Sequence, residues 1–450
     1  MGAVQRLIAG IAASEFYKNI IGLFSGIFAA RLIPALFAVL LARLYAPEDF
    51  GDFVLFLSIA SLLSIFVNGG YEGAVILTEE SSQRGRIFRF SLRLNLFLNG
   101  FFLAAITVSL LVFGRKSVNA FLWMMVPFYA FFFGGVQLIR NVMISTKQFK
   151  KLALLEIIRA AATGILQSLL FLWPDTGLFL GVILAQGVTF FSFIFLMPEA
   201  SLFRVFRCSR PEFVLARRYR NFPLYSVPAE FFNYLSNQLP VFMIKPFFGQ
   251  VKLGLYSFSH RYLNTPVQLT SISIGSVYIQ KARSLKEKMP VLAGLTFSLY
   301  RKQLWLAILP FTLLALWGKE IFAFIFGNEW AYSGSLAQIL SPWLFMVFIS
   351  SPLSTILIAM EKQKISMIFN ISLLVGRFLV LAAGGFILKD LTSTIILYSL
   401  TGFLFFLFLG ACSLRLAGVA PVKAAFELCK AIVFVVLPLI LIRIWLWNAA

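Results

Sequence analysis

The sequence predicts an all-α protein that crosses a membrane many times. Three observations carry that expectation. Hydrophobic residues make up 60% of the chain and charged residues only 13%, against about 25% charged in an ordinary soluble domain. Apolar runs long enough to cross a ~30 Å hydrocarbon core as helices, roughly 20 residues each, recur from end to end. The runs lack the short alternating pattern of a membrane β-barrel, and in lipid a continuous apolar run satisfies its own backbone N–H and C=O groups only as a helix.

Taken in order, spans are expected at 19–42, 53–77, 91–113, 120–143, 153–173 and 178–197, then at 222–244, 254–279, 304–325, 337–359, 367–388 and 392–414. A further apolar segment, 431–447, reads equally as a thirteenth span or a peripheral helix, and 12 to 14 helices are expected in all. The expected organisation is an N-terminal six-helix lobe over 1–200, a basic cytoplasmic linker over 201–221, a C-terminal six-helix lobe over 222–414 and a hydrophobic segment over 415–450.

The formal net charge of +21 would suit nucleic acid only if the basic residues shared one soluble face. They lie between apolar runs instead, so no nucleic-acid partner is expected and the charge reads as topology. With the N-terminus in the cytoplasm, the inner loops collect Arg84, Arg86 and Arg89, Lys147 to Lys151, the cluster from Arg204 to Arg220, and Lys281 to Lys302. The outer side receives Arg43, Arg115, Lys116, Lys245, Lys252, Lys319 and Lys389 with many of the loop acids.

Chemistry is scarce in the loops. All connections are short, without the sizeable extramembrane loop on which a glycan-building enzyme holds its acids and bases, and no Walker-type glycine loop is present. The single histidine, His260, cannot build a metal site alone. The three cysteines suggest no disulfide framework, and the N-terminus, with Glu15 after a short apolar stretch, is not read as a signal peptide. A non-enzyme without cofactor is expected.

Two stretches repeat. ARLYAPEDFG at 42–51 and IKPFFGQVKLG at 244–254 align with Gly51 on Gly254, Leu44 on Phe247, Phe50 on Leu253 and Phe53 on Tyr256. With six spans on each side, the match indicates a duplication of two lobes about a pseudo-two-fold axis along the membrane normal. Each stretch reads as an outer-face hairpin, Pro47 starting the turn and Gly51 permitting re-entry.

Charges inside spans are expensive and mark functional sites by default. Arg31 lies mid-span, three residues before Pro34; Arg377, Arg261 beside His260, Arg159 and Arg140 follow. Arg93 and Arg443 sit near span ends, where snorkelling explains them. An intrahelical pair of Arg159 with Glu156, one turn earlier, is the competing packing explanation. Glu72, after an Asn-Gly-Gly break, Glu230, after Pro228, and Glu156 are the carboxylates placed to exchange a proton or bind a cation. Prolines within spans, including Pro34, Pro127, Pro228, Pro240, Pro266 and Pro352, suggest kinked helices.

The run LLARLYAPEDFGDFVLFLSIASLLS, residues 40–64, resembles the first-loop signature of the polysaccharide-biosynthesis flippases of the multidrug/oligosaccharidyl-lipid/polysaccharide exporter superfamily. FFGQVKLGLYSFSHRY, residues 247–262, is similar to the signature opening that family's second half. The resemblance implies two six-helix lobes around a central cavity. It also implies transport of a polyprenyl-diphosphate-linked oligosaccharide from the cytoplasmic to the outer leaflet of a bacterial or archaeal inner membrane, for cell-surface polysaccharide. Guanidinium forks bind phosphate oxygens without risk of deprotonation, so Arg31, Arg261 and Arg377 are expected to face one cavity and hold the diphosphate. His260, Arg159 and Arg140 complete the expected substrate-binding set. Glu72, Glu230 and Glu156 would couple transport to a proton or sodium gradient or to the membrane potential. Membrane lipids and polysaccharide polymerase and assembly proteins are the implied partners. A cation-coupled drug exporter of the same superfamily is the alternative, opposed by the excess of intramembrane arginine over glutamate; a membrane glycosyltransferase or polymerase is opposed by the missing catalytic loop.

Overall fold

Long apolar runs leave the backbone no partner but itself, and the computed structural model is helical throughout. It describes residues 32–78, 80–113, 120–194 and 210–449, and among them no strand occurs. Arg31, Arg115, Lys116, Arg204, Arg207 and Cys208 lie outside the described residues. The chain divides into two compact units, residues 1–45 with 52–238, and residues 46–51 with 239–450.

In the first unit, α1 (Leu32–Leu44) is followed by α2 (Pro47–Val67), α3 (Tyr71–Leu77), α4 (Ser81–Phe113) and α5 (Ala120–Ser145). Then come α6 (Phe149–Leu169), α7 (Pro174–Ile194), the short α8 (Arg210–Arg218) and most of α9 (Val227–Phe248). α7 is the most enclosed span. Its Phe190 joins Phe88 of α4, Leu138, Ile139 and Met143 of α5 and Leu155 of α6 in one buried core. The break between α2 and α3 needs glycine, because Gly69 and Gly70 have φ of +60° and +71°. A buried carboxamide braces it, Asn68 Nδ2 donating to the Gly134 carbonyl at 2.9 Å and Asn68 Oδ1 accepting from Asn95 at 3.1 Å.

The second unit continues with α10 (Gln250–Ser284), α11 (Met289–Phe326), α12 (Ala331–Ser354) and the one-turn α13 (Ile356–Ala359). After them come α14 (Gln363–Ala383), α15 (Leu391–Leu416), α16 (Pro421–Ala431) and α17 (Leu437–Ala449). α12 is the hub, packing on α10, α11 and α15. Its Ser333 hydroxyl donates to the Leu255 carbonyl at 2.8 Å, and Ser399 of α15 donates to the Ile339 carbonyl at 2.6 Å. Helices run through Pro127, Pro240, Pro266 and Pro352; within α11 the departure from helical geometry falls at Trp317 (φ −120°, ψ 19°).

Among the described residues ten helical stretches are long and apolar enough to cross a membrane, and Pro421–Leu446 is one of them, which takes in the segment left open by the sequence. α9 and α10 cover two expected spans but are too polar to count among the ten. These two helices carry Glu230, His260 and Arg261.

The hairpin glycine does a different job from the one expected of it. Gly51 lies inside α2 with ordinary helical backbone, and the turn is capped by Asp49, whose Oδ2 accepts from the Ala46 N–H at 2.9 Å. Gly51 and Gly254 instead let the first turn of α2 cross α10 backbone against backbone. A Cβ on Gly254 would collide with the Pro47 carbonyl, and one on Gly51 with that of Gln250.

Candidate functional site

The second unit holds a cation enclosed by aromatic rings. Arg377 falls near the middle of α14 and is only 8% exposed. Its guanidinium carbon lies 5.5 Å from the ring centre of Trp343 on α12 and 5.8 Å from that of Tyr398 on α15. Those two rings meet edge to face at 5.2 Å. His260 of α10 stacks between Tyr256 and Trp343, 5.8 Å from each and nearly parallel to both. Tyr256 shares a side-chain hydrogen bond with Tyr398. Glycine makes this assembly possible: Gly402 of α15 leaves the space that the Trp343 indole fills.

What the cluster lacks matters as much. Arg377 Nε and Trp343 Nε1 are buried and find no acceptor among the described residues, and no carboxylate there pairs with Arg377. Guanidinium donors of this kind pair with phosphate or carboxylate oxygens in a fixed fork.

The first unit gathers the other charges. Glu156 on α6 pairs with Arg140 of α5, Nε to Oε1 at 3.4 Å, and its second oxygen takes Arg159 one turn along α6. Glu72, at the start of α3, is half-buried; its Oε2 is enclosed without a hydrogen-bond partner, and its backbone carbonyl accepts from Asn141 Nδ2 at 3.1 Å. Glu230, exposed on α9, lies within electrostatic reach of Glu72. Glu212 of α8 is 3% exposed, held by Arg93 and, at 3.3 Å, by Arg89 of α4. No group of three His, Cys, Asp or Glu side chains among the described residues is arranged to hold a metal ion.

With this geometry in place, comparison with known proteins settles the lineage. The family described as polysaccharide biosynthesis protein matches residues 40–334, well over half of the chain. The chain belongs to that family. It is 23% identical over 312 residues to the succinoglycan biosynthesis transport protein ExoT of Rhizobium meliloti (strain 1021), across 67% of this chain and 60% of ExoT, so it spans under two thirds of that relative's length. The fold is that of a solved lipid II flippase, MurJ, in an inward closed conformation, with a TM-score of 0.70 at 14% identity over 95% of this chain and 97% of that one. A transporter of the MOP superfamily from Pyrococcus furiosus matches with a TM-score of 0.57 at 12% identity, over 89% of this chain and 96% of its own.

The sequence-selected residues of this family member therefore fall in several places. Arg377 and His260 share the aromatic cluster of the second unit, whereas Arg261, next along α10, is exposed. Arg140, Arg159 and Glu156 form one group in the first unit, and Glu72 with Glu230 another. Arg31 lies outside the described residues. Arg93 and Arg443, read as snorkelling, are both paired: Arg93 with buried Glu212, Arg443 with Glu320 at 3.7 Å while lying 5.9 Å from the ring centre of Trp317. Sequence reasoning missed Trp343, Tyr256 and Tyr398. In a chain that is 16% aromatic they carry no distinguishing signal.

Proposed function

We propose that the chain moves a polyprenyl-diphosphate-linked oligosaccharide from the inner to the outer leaflet of the cytoplasmic membrane by alternating access, in the building of a cell-surface polysaccharide. Membership of the polysaccharide biosynthesis family supports the pathway, and the fold shared with a lipid II flippase supports the mode of action. The observation that carries the reading is Arg377, a buried guanidinium with two aromatic walls, an unmatched Nε and no carboxylate partner among the described residues. A substrate bearing two phosphates on an apolar tail supplies the missing charge in a low-dielectric setting where pairing is strong. A cationic drug would be repelled from the same place.

In this reading the N-terminus is cytoplasmic, the protein catalyses no bond chemistry, and the product passes to polymerase and assembly proteins. Glu72, with its enclosed and unpaired carboxylate oxygen, and Glu230 are the groups through which a proton or sodium gradient would drive the cycle. The test is Arg377→Gln in cells, with membrane abundance matched to wild type, surface glycan quantified and lipid-linked intermediates assayed by leaflet. Finished oligosaccharide trapped on the inner leaflet is the expected result. Normal display from a matched amount of protein rejects the reading.

A further inference from the structure

In the first unit, Glu156 stands between two arginines drawn from different helices. Arg140 reaches Oε1 from α5 at 3.4 Å, and Arg159 takes Oε2 from within α6. The carboxylate side chain is 12% exposed, while the two arginines keep 41% and 31% of their side chains open. The trio is therefore a net cation with its negative member inside and its guanidinium groups partly outward. The second contact of Arg140, from Nη1 to Gln137 Oε1, is long at 3.5 Å, so this arginine is not saturated. Arginines open to lipid within a span are disfavoured, which suits their open sides to water or a polar ligand.

A carboxylate and a phosphate engage guanidinium N–H groups in the same way, each accepting two parallel hydrogen bonds from one fork. We infer that Glu156 is an internal counter-anion for a diphosphate: it occupies Arg140 and Arg159 while the protein is empty, and phosphate oxygens displace it when substrate binds. The inference rests on the diphosphate reading of function. It assigns Glu156 a purpose in release as well. Two bare arginines would retain a diphosphate, whereas a tethered carboxylate competes for the same guanidinium charges and restores the resting ion pairs as the substrate leaves. Glu156 is thus a positioning residue that weakens binding, in contrast to a carboxylate that only supports packing.

The experiment uses the full chain in nanodiscs of zwitterionic lipid, with farnesyl diphosphate as probe and affinity read by titration calorimetry. Glu156→Gln removes the competing charge at nearly constant volume and is expected to bind the probe about tenfold more tightly, the scale of one charge-assisted hydrogen bond. Glu156→Asp keeps the charge on a shorter stem that cannot reach both arginines, and is expected to gain about threefold; it carries the test if the glutamine variant does not fold. Arg159→Gln is expected to weaken binding. Glu156 variants that are folded yet bind no more tightly than wild type overturn the inference. Failure of wild type and every variant to bind farnesyl diphosphate overturns the functional reading beneath it instead.

Discussion

Replacing Arg377 by methionine separates stability from function. The favourable contributions lost are two cation–π contacts, at 5.5 and 5.8 Å, worth about 0.5–2 kcal/mol each. The costs relieved are larger: about 2.5–3.5 kcal/mol for a charge held in the middle of a span, and about 1–3 kcal/mol for a buried donor without an acceptor, here Nε. Methionine is flexible enough to fill most of the vacated volume against Trp343 and Tyr398. The balance lies between no change and a gain of a few kcal/mol. The thermal midpoint of the purified variant, followed by intrinsic tryptophan fluorescence, is therefore expected to equal or exceed that of wild type, while surface glycan per folded molecule collapses. A clearly lower midpoint with glycan display retained would show that the arginine is there for packing and that the anion argument is wrong.

Three further outcomes follow from other parts of the molecule. Gly254→Leu pushes a side chain into the Pro47 carbonyl where α2 crosses α10; a loss of about 1–3 kcal/mol is expected from such overpacking, read as a lower midpoint in the same assay. Glu212→Ala leaves Arg89 and Arg93 facing an emptied, buried site, costing about 3–5 kcal/mol, and limited proteolysis should cut next to α8 faster than in wild type. Asp390 lies in the connection before α15 and accepts the Ser393 N–H at 2.8 Å. That backbone hydrogen bond, helped by the Ser393 side chain, the Thr392 N–H and Lys252, holds its carboxyl below the ordinary value of 3.8. A depressed folded-state value means that its contribution is present above pH 3.8 and fades as pH falls through the lower, folded value. Asp390→Ala removes the cap acceptor and should thus lower the midpoint by roughly 0.5–1 kcal/mol at pH 7, and by less as pH falls below 3.8.

The helices were legible because membrane helices advertise themselves: each needs a long apolar run and tolerates few charges. The same rule explains why α9 and α10, although expected as spans, fall short of the apolar standard of their neighbours; polar and charged residues, Glu230, His260 and Arg261 among them, lower their mean hydropathy. Arg377 was legible as a charge out of place. Its isolation was not, because whether a carboxylate faces it depends on which faces of α10, α12 and α15 turn inward. Glu212 was invisible for the converse reason. Amid the arginines of the central basic stretch it reads as a solvated acid, yet it is almost wholly buried against α4. The glycine match at 51 and 254 pointed to a real feature, with the reason displaced from turn to helix crossing, since a repeat reveals where glycine is required and not which neighbour requires it.

The wide turn at Ile432–Val436 sets the phase of the C-terminal helices. Glu427 before it meets Arg301 at 3.5 Å, and Arg443 after it meets Glu320 at 3.7 Å, both partners belonging to α11. On an uninterrupted α-helix, at about 100° per residue, positions 427 and 443 would point about 160° apart. A π-turn absorbs one extra residue, which reduces the offset to about 60°. A single looped-out residue thereby clocks both ends of an otherwise apolar helix onto the same neighbour, so the segment is fixed in rotation by two polar contacts that its greasy surface could never specify.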